Sequence, residues 1–219
     1  MSATDAVRAA GRPIGLMGGT FDPVHNGHLR VAIEACEALS LDHVRLIPLS
    51  EPYHRAGPVA CAALRVAMLQ AAARLPLKVD TCEIDRGGVS YTIDTLLVMR
   101  ARWPQRSLCL LIGRDAYYGL PRWRRADELL SLAHIVVAAR PAVETRHDPA
   151  LDELVANAQS ARVDELHDMR AGRVFFLDIP LLPIASSELR ARRAAGRVIR
   201  HLVPESVDDL IIEHALYRP

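Results

Sequence analysis

Short apolar runs rich in β-branched residues alternate with helical patterns along most of this 219-residue chain. Runs of nearly continuous apolar character are expected when helices cover both faces of a parallel sheet. Alternating strands and helices also imply right-handed crossovers. We therefore predict an α/β fold with a doubly wound, Rossmann-like parallel sheet flanked by helices. The predicted strands cover residues 14–18, 44–48, 77–83, 108–113, 135–139 and 174–179.

The remaining segments complete this prediction. Residues 142–172 interrupt the alternation, because they are polar and charged, with one helical stretch near 151–158 and no clear strand. Residues 1–12 are predicted to be an N-terminal tail, and residues 13–219 a single domain whose C-terminal part, about 186–218, is helical. Helices are predicted at 27–40, 60–75, 91–102, 187–195 and 205–217, with a short helical stretch between 114 and 130.

Four loops are expected to meet at one crevice. Segments 18–28, 48–55, 86–92 and 113–123 each follow the end of a predicted strand. In a doubly wound sheet, ligands bind beyond the carboxyl ends of the strands. The sequence therefore predicts one binding crevice lined by these loops.

The first of these loops, Gly-Gly-Thr-Phe-Asp-Pro-Val-His-Asn-Gly-His at 18–28, joins a strand to a helix. Such a junction directs backbone N–H groups and the positive end of a helix at one point, which suits a bound phosphate. The second glycine run of a dinucleotide fingerprint and the Gly-Lys-Ser/Thr of a P-loop are both missing from this loop. We interpret His25 and His28, at the start of the helix, as phosphate ligands that gain charge as a nucleotide binds.

Two other interpretations of His25 and His28 stay open at this point. One histidine could be a simple loop residue and the other a helix cap. The pair could also bind zinc, although no cysteine or third histidine lies nearby in the sequence.

A second polar motif, Ser186-Ser187-Glu188-Leu189-Arg190, opens a predicted helix near the C-terminus. Serine hydroxyls and free N–H groups at a helix start can bind an anion, and Arg190 adds a guanidinium one turn further on. Alone, this motif is a weak signal, since an ordinary capped surface helix has the same composition.

Composition argues against several classes of protein. The formal net charge is +1, so we expect neither nucleic acid nor a membrane surface as a partner. No segment approaches the length of a membrane span, and the N-terminus lacks the apolar region of a signal peptide. Cys36, Cys61, Cys82 and Cys109 form no Cys-x-x-Cys pair. We expect buried free thiols in a reducing cytoplasm, and hence a cytoplasmic protein.

Together, the two motifs resemble a nucleotidyltransferase superfamily. His25-Asn26-Gly27-His28 matches its histidine-x-glycine-histidine box, and residues 184–190 resemble its Ile-Ser-Ser-x-x-x-Arg-type box. Within that superfamily, the order and spacing of the chain resemble the bacterial nicotinate-nucleotide adenylyltransferases. The resemblance covers about residues 13–218 and is weakest through 142–172. Supporting matches lie at 52–55, 90–92, 112–115, 121–123, 133–136 and 216–218.

The resemblance implies transfer of AMP from ATP to nicotinate mononucleotide, which gives nicotinate adenine dinucleotide and pyrophosphate in NAD biosynthesis. It implies catalytic roles for His25 and His28, which would bind and polarise the phosphates of ATP, and for Arg190 on the opposite side. The other residues that it assigns to ATP are Gly18, Gly19, Thr20, Phe21, Gly113, Asp115, Ser186 and Ser187.

For the acceptor nucleotide, the resemblance implies that Trp123 stacks on the pyridine ring. Backbone N–H groups near Thr92 and Arg124 would receive the nicotinate carboxylate. The simpler alternatives are packing for Trp123, a core position for Tyr91 and a helix cap for Asp115. The residues assigned to the mononucleotide are His54, Arg55, Tyr91, Thr92, Trp123 and Arg124.

The chain departs from the family pattern at several positions. Ala185 stands where the family often has a first serine, and Met17 where an aromatic residue is common before the glycines. Tyr53 and Arg55 differ from a frequent Pro-Pro-His-Lys form. Arg124 stands where a second aromatic residue is common, so Trp123 is the only ring we assign to stacking.

The implied reaction needs no general base, because the attacking phosphate monoester is already ionised. Mg²⁺ is expected to arrive with ATP, held by phosphates and water, and no metal ligand of the protein is predicted. ATP and nicotinate mononucleotide are the expected partners, and a homo-oligomer is possible. A sibling transferase acting on phosphopantetheine or using CTP, and a non-catalytic nucleotide-binding module, are the alternatives.

Overall fold

A seven-stranded parallel sheet forms the centre of the fold in the computed structural model, which describes residues 2–51, 59–139, 147–180 and 182–218. Every pair of neighbouring strands is parallel. The α/β class and the doubly wound sheet predicted from the sequence are confirmed. The strands are β1 (Ile14–Gly19), β2 (His43–Pro48), β3 (Leu77–Val79), β4 (Leu108–Gly113), β5 (His134–Ala139), β6 (Gln159–Ser160) and β7 (Val174–Asp178).

Helices cover both faces of this sheet. Successive side chains of a strand point to opposite faces, so Cys109 and Leu111 of β4 enter one apolar cluster, and Leu108 and Leu110 enter the other. The described helices are α1 (Ala3–Ala9), α2 (Asn26–Ala38), α3 (Ala62–Ala72), α4 (Cys82–Arg86), α5 (Thr92–Arg102), α6 (Arg114–Gly119), α7 (Ala126–Leu132), α8 (Pro149–Leu154), α9 (Val163–Asp168), α10 (Ser186–Ala194) and α11 (Glu205–Glu213).

The strand order places a switch point at the middle of the sheet. The order is β3-β2-β1-β4-β5-β7-β6. The chain runs outward from β1 through β2 to β3 and then returns to pair β4 with the other side of β1. Connections leave β1 and β4 in opposite directions, which opens a crevice beyond their carboxyl ends. The predicted loops 18–28 and 113–123 begin at this point.

Two predicted segments differ from the structure. The predicted strand 77–83 ends at Val79, because the Asp80 carboxylate accepts a hydrogen bond from the Cys82 N–H (3.1 Å) and α4 begins there. Segment 142–172 contains β6 as well as α8 and α9, so the expectation of no strand was wrong. Strand β6 has only two residues, too few for an apolar pattern, and residues 142–146 lie outside the described part.

Both ends of the chain differ from the sequence prediction. Within the predicted tail, α1 is capped by Ser2, and Arg8 forms an ion pair with Asp168. The last helix was predicted at 205–217, but α11 ends at Glu213. The chain then turns, with Ala215 and Tyr217 at positive φ, and the Tyr217 side chain enters the core.

The cysteines only partly follow the prediction. All four are free, and Cys36, Cys82 and Cys109 are buried. Cys61 is exposed, because it precedes the first turn of α3 and is not on a strand or the inner face of a helix. None of the described helices is long and apolar enough to span a membrane.

Candidate active site

A cleft of about 940 Å³ lies beyond the carboxyl ends of β1 and β4. The structure brings every predicted site residue within its described part to the wall of this one cleft. His54 and Arg55 lie outside the described residues. The predicted residues that line the cleft are Gly18, Gly19, Thr20, Phe21, His25, His28, Tyr91, Thr92, Gly113, Asp115, Trp123, Arg124, Ser186, Ser187 and Arg190. Their individual roles stay predictions.

His25 and His28 cap the first turn of α2 reciprocally. The His28 N–H donates to Nδ1 of His25 (3.3 Å), and the His25 N–H donates to Nδ1 of His28 (3.3 Å). The two imidazoles stack with ring centroids 3.6 Å apart. The alternative from the sequence assigned a cap to one histidine only, whereas both side chains make capping hydrogen bonds, and both also line the cleft.

Burial keeps both imidazoles neutral in the free protein. It lowers the pKa of His25 to about 4, and burial together with the charge of His25 lowers the pKa of His28 to about 3. Because each Nδ1 accepts a backbone N–H, the ring proton of each neutral histidine lies on Nε2. Each ring can therefore donate one Nε2–H hydrogen bond to a phosphate oxygen without first being protonated.

Close packing explains the small residues around the histidines. A Cβ on Gly27 would come within 3.0 Å of Nδ1 of His25, so a larger residue would displace the imidazole. A Cβ on Gly19 would come within 3.1 Å of the Phe21 ring. That ring in turn lies edge-on to His28, with centroids 5.0 Å apart. The loop residues thus fix the orientation of both imidazoles.

Gly18 and Gly113 have open space beside them, unlike Gly19 and Gly27. Nothing lies within 4 Å of the place that a Cβ would take on either residue, and both line the cleft. Gly18 is the last residue but one of β1, and Gly113 is the last residue of β4, the two strands at the switch point. A ligand can therefore approach the backbone of both strands closely between them.

Helix α10 docks its first turn onto the histidine loop. The Ser186 hydroxyl donates to the Pro23 carbonyl (2.9 Å), and Nη1 of Arg190 donates to the Asp22 carbonyl (2.7 Å). The Ser186 proton is thus used within the protein, and an anion would meet the backbone N–H groups of this turn instead. Ala185 is the N-cap residue and supplies no side-chain cap, which follows from its departure from the family pattern.

The sequence analysis missed a buried polar cluster behind this loop. The Asp22 carboxylate accepts from the Tyr217 hydroxyl (2.6 Å) and from the N–H groups of Val59 and Ala60 (2.8 and 3.1 Å). Arg65, also buried, donates to the Thr20 carbonyl (2.9 Å). A lone arginine on the apolar helix α3 was the only available signal, since the other contacts depend on the tertiary fold.

The other end of the cleft is formed by α5 and the turn before α7. Tyr91 is the N-cap residue of α5, and Thr92 is its first residue. The Arg124 guanidinium lies over the Tyr91 ring, 4.7 Å from its centroid. Arg124 therefore covers one face of the Tyr91 ring. Trp123 is half-buried, so part of its indole faces the cleft.

A buried carboxyl group, also missed from the sequence, lines the cleft at this end. Glu83 accepts a hydrogen bond from the Thr95 hydroxyl (2.5 Å), and burial raises the pKa of its carboxyl group. The Ser90 hydroxyl oxygen accepts from the Ser50 N–H (2.9 Å). These bonds fix the start of α5 relative to the loop after β2.

Within the described ranges, no group of three or more His, Cys, Asp or Glu side chains is placed to hold a metal ion. The oxygens of Asp22 are already engaged by N–H and O–H donors. Mg²⁺ prefers several oxygen ligands and retained waters, so these residues do not form a magnesium cage.

These features define a class of protein: an α/β protein with paired imidazoles at the start of a helix, beside a cleft at the switch point of a parallel sheet. Residues 16–192 match the cytidylyltransferase-like family. The chain belongs to this family of nucleotidyltransferases.

The relatives within the family are similar over nearly their whole length. A probable nicotinate-nucleotide adenylyltransferase from Aeromonas hydrophila subsp. hydrophila is 46% identical over 209 residues, which cover 94% of this chain and 98% of the relative. A protein of the same name from Methylococcus capsulatus is 42% identical, covering 93% and 99%.

The fold is shared with solved structures of lower identity. Nicotinic acid mononucleotide adenylyltransferase from Plasmodium falciparum, complexed with NaAD, superposes with a TM-score of 0.69 at 16% identity, over 94% of this chain and 98% of that chain. A nicotinate-nucleotide adenylyltransferase structure from Vibrio parahaemolyticus gives a TM-score of 0.62 at 15% identity, over 95% and 96%. At these identities the likeness shows the fold alone.

Proposed function

We propose that this protein transfers AMP from ATP to nicotinate mononucleotide, forming nicotinate adenine dinucleotide and pyrophosphate. The observation that carries the proposal is the single cleft that has His25, His28 and Arg190 at one end and Trp123 at the other. Relatives that are 42–46% identical over nearly the whole chain are named for this activity.

The chemistry requires charge stabilisation and alignment. An ionised oxygen of the acceptor phosphate attacks the α-phosphorus of ATP, the new P–O bond forms, and the bond to pyrophosphate breaks. No proton has to leave the nucleophile, so the reaction needs no general base. Positioning in such reactions contributes up to about 7–11 kcal/mol. Donors aimed at the developing negative charge add to this.

In our proposal, four groups supply those donors. His25 and His28 donate from Nε2 to the phosphates of ATP, next to the positive end of α2. Arg190 and the first N–H groups of α10 approach from the other side. Arg190 keeps 31% of its side chain exposed to the cleft while its Nη1 is fixed by the Asp22 carbonyl.

The residues at the other end suit a pyridine nucleotide. An aromatic ring stacked on Trp123 gains contact area at small entropic cost. The N-terminus of α5 at Thr92, together with the Arg124 guanidinium, gives a carboxylate on that ring a favourable electrostatic position. A cleft of about 940 Å³ has room for both nucleotides.

We treat Mg-ATP as the nucleotide substrate. The family typically uses a divalent metal, and the described residues offer it no cage of their own. The ion would therefore remain on the phosphates and reduce their charge. A cytoplasmic location and a homo-oligomer stay predictions from the sequence.

The proposal is tested by chromatography of the products formed from Mg-ATP. Nicotinate mononucleotide, nicotinamide mononucleotide and phosphopantetheine are offered as acceptors in parallel. We expect a nicotinate adenine dinucleotide peak with matching pyrophosphate, formed much faster than the other products. Faster conversion of another acceptor would overturn the acceptor assignment, and ATP binding without any product would favour a non-catalytic module.

A further inference from the structure

The buried polar cluster around Asp22 joins parts of the chain that are far apart in sequence. Its carboxylate receives donors from the C-terminal Tyr217 and from Val59 and Ala60, which precede α3. The backbone carbonyl of Asp22 also accepts a hydrogen bond from Arg190 on α10. None of these residues lies in a strand, and all of the contacts converge on the loop that carries the two histidines.

We propose that Tyr217 is a positioning residue for AMP transfer, which acts through Asp22 on Arg190. This inference rests on the proposed function. Tyr217 lies 195 residues from Asp22 in the sequence and only 5% of it is exposed. It is not among the residues that line the cleft, so it reaches the substrates only through its neighbours.

The Tyr217 hydroxyl donates a hydrogen bond to the Asp22 carboxylate. Burial and the Asp22 carboxylate raise the pKa of Tyr217, so its hydroxyl stays protonated. Its bond to Oδ1 of Asp22 measures 2.6 Å, which is typical of an O–H donor to a charged oxygen. The hydroxyl thereby fixes the rotation of the carboxylate group.

That rotation places Oδ2 of Asp22 near Arg190. Nη1 of Arg190 lies 3.8 Å from Oδ2 while it donates to the Asp22 carbonyl at 2.7 Å. Oδ2 also accepts from the Val59 N–H (2.8 Å). One guanidinium nitrogen is therefore anchored between two oxygens of one residue, which orients the rest of the side chain in the cleft.

Two residues in the turn that carries Tyr217 have a left-handed backbone conformation. Ala215 has φ +50° and Tyr217 has φ +59°, although neither is glycine. This left-handed conformation is unfavourable for residues with a side chain and persists where surrounding contacts impose it. The turn after α11 thus adopts two unfavourable conformations that bring the phenol to Asp22.

A purely structural role for Tyr217 makes a different prediction from a positioning role. If Tyr217 only stabilises the fold, then Tyr217→Phe and Arg190→Ala act independently on kcat. If Tyr217 acts through Arg190, its effect disappears once the Arg190 guanidinium is gone. A double-mutant cycle separates these cases, because independent sites add and coupled sites do not.

The experiment measures kcat and both KM values for the full-length wild type, Tyr217→Phe, Arg190→Ala and the double variant. We expect Tyr217→Phe to lower kcat about tenfold with little change in the mononucleotide KM, and to change kcat less than about twofold in the Arg190→Ala background. The matched control is Tyr117→Phe, which removes a buried hydroxyl outside the cleft. It should leave kcat unchanged in both backgrounds.

Equal losses of kcat in both backgrounds, or an unchanged kcat in Tyr217→Phe, would overturn the proposal. If Tyr217→Phe does not fold at the assay temperature, the cycle is measured at a lower temperature at which all four proteins fold, with the same expectation. If the wild type forms no dinucleotide, the proposed function has failed. The positioning role is then measured as the ATP dissociation constant across the same four proteins, where a non-additive loss is still expected.

Discussion

The two ends of the cleft are built in different ways. We call the end with His25, His28 and Arg190 the phosphate end, and the end with Tyr91, Trp123 and Arg124 the acceptor end. At the phosphate end, His25 is 4% exposed and Asp22 is 1% exposed, and each is fixed by several hydrogen bonds. At the acceptor end, Trp123 is half-buried and Arg124 is exposed, and the contact described for Arg124 is a stacking contact with Tyr91.

Under the proposed function, this difference corresponds to two tasks. Transfer at phosphorus needs donors held in place before the charge develops, which favours buried side chains fixed by other residues. Recognition of the acceptor needs an open site that its pyridine ring can enter and leave. We therefore expect substitutions at the phosphate end to lower kcat, and substitutions at the acceptor end to raise the mononucleotide KM.

His28→Ala should have the largest effect. It removes one Nε2–H donor from the developing negative charge, so we expect kcat to fall by about 10²–10³ while the fold is kept. The measurement is steady-state kinetics with circular dichroism as the check on folding. His147→Ala, which changes an exposed histidine, is the control. A nearly unchanged kcat for His28→Ala would remove the distinction between the two ends.

Acid should destabilise the phosphate end in the free protein. The pKa of His28 is about 3 when folded and near 6.5 when unfolded, so below pH 6.5 the unfolded state takes up a proton that the folded state does not. Stability is therefore lost as the pH falls from about 6.5 towards 3. For His28 we expect at most about 2 kcal/mol by pH 5.

The check is urea unfolding of the wild type and of His28→Asn at pH 7 and pH 5. The variant should lose less free energy of unfolding between the two values. His134, which is also buried with its pKa lowered to about 4, contributes equally to both proteins and cancels. Identical losses would show that His28 is not a buried neutral imidazole.

Trp123→Ala tests the acceptor end. Loss of the stacking surface should raise the KM for nicotinate mononucleotide about tenfold, with the ATP KM nearly unchanged. Trp123→Phe, which keeps a ring, should restore most of the affinity. Equal increases in both KM values would show that Trp123 is a packing residue and that the two ends are not separate.

Arg124→Ala should have the smallest effect. Attraction between an exposed guanidinium and a carboxylate is screened by water and contributes at most about 1 kcal/mol, so we expect the mononucleotide KM to rise by up to about fivefold. Arg125→Ala is the neighbouring control, because Arg125 pairs with Glu128 and does not line the cleft. A large fall in kcat for Arg124→Ala would place this residue in the transfer chemistry instead.

Much of this organisation could be predicted from local sequence patterns. Continuous apolar strands indicated the parallel sheet, and the box from His25 to His28 indicated a loop that lines the cleft. The strand predicted at 77–83 was wrong beyond Val79, because a hydrogen bond from the Cys82 N–H to the Asp80 carboxylate forms where a helix starts. Apolar character alone does not distinguish these outcomes.

The contacts that hold the site together were not predictable in this way. Asp22 and Tyr217 are 195 residues apart, and no local pattern relates them. Glu83 and Arg65 were not recognised because a charged residue in an apolar helix or strand is usually assigned to the surface. Such groups are recognised only when the fold brings their partners to them.

The most direct test is a crystal structure of the protein with nicotinate adenine dinucleotide bound. We predict the adenosine half between Gly18 and Gly113, the phosphates within hydrogen-bond distance of Nε2 of His25 and His28, and the pyridine ring against Trp123. A dinucleotide bound in the reverse orientation, or with its phosphates away from the two histidines, would contradict the division of the cleft into a phosphate end and an acceptor end.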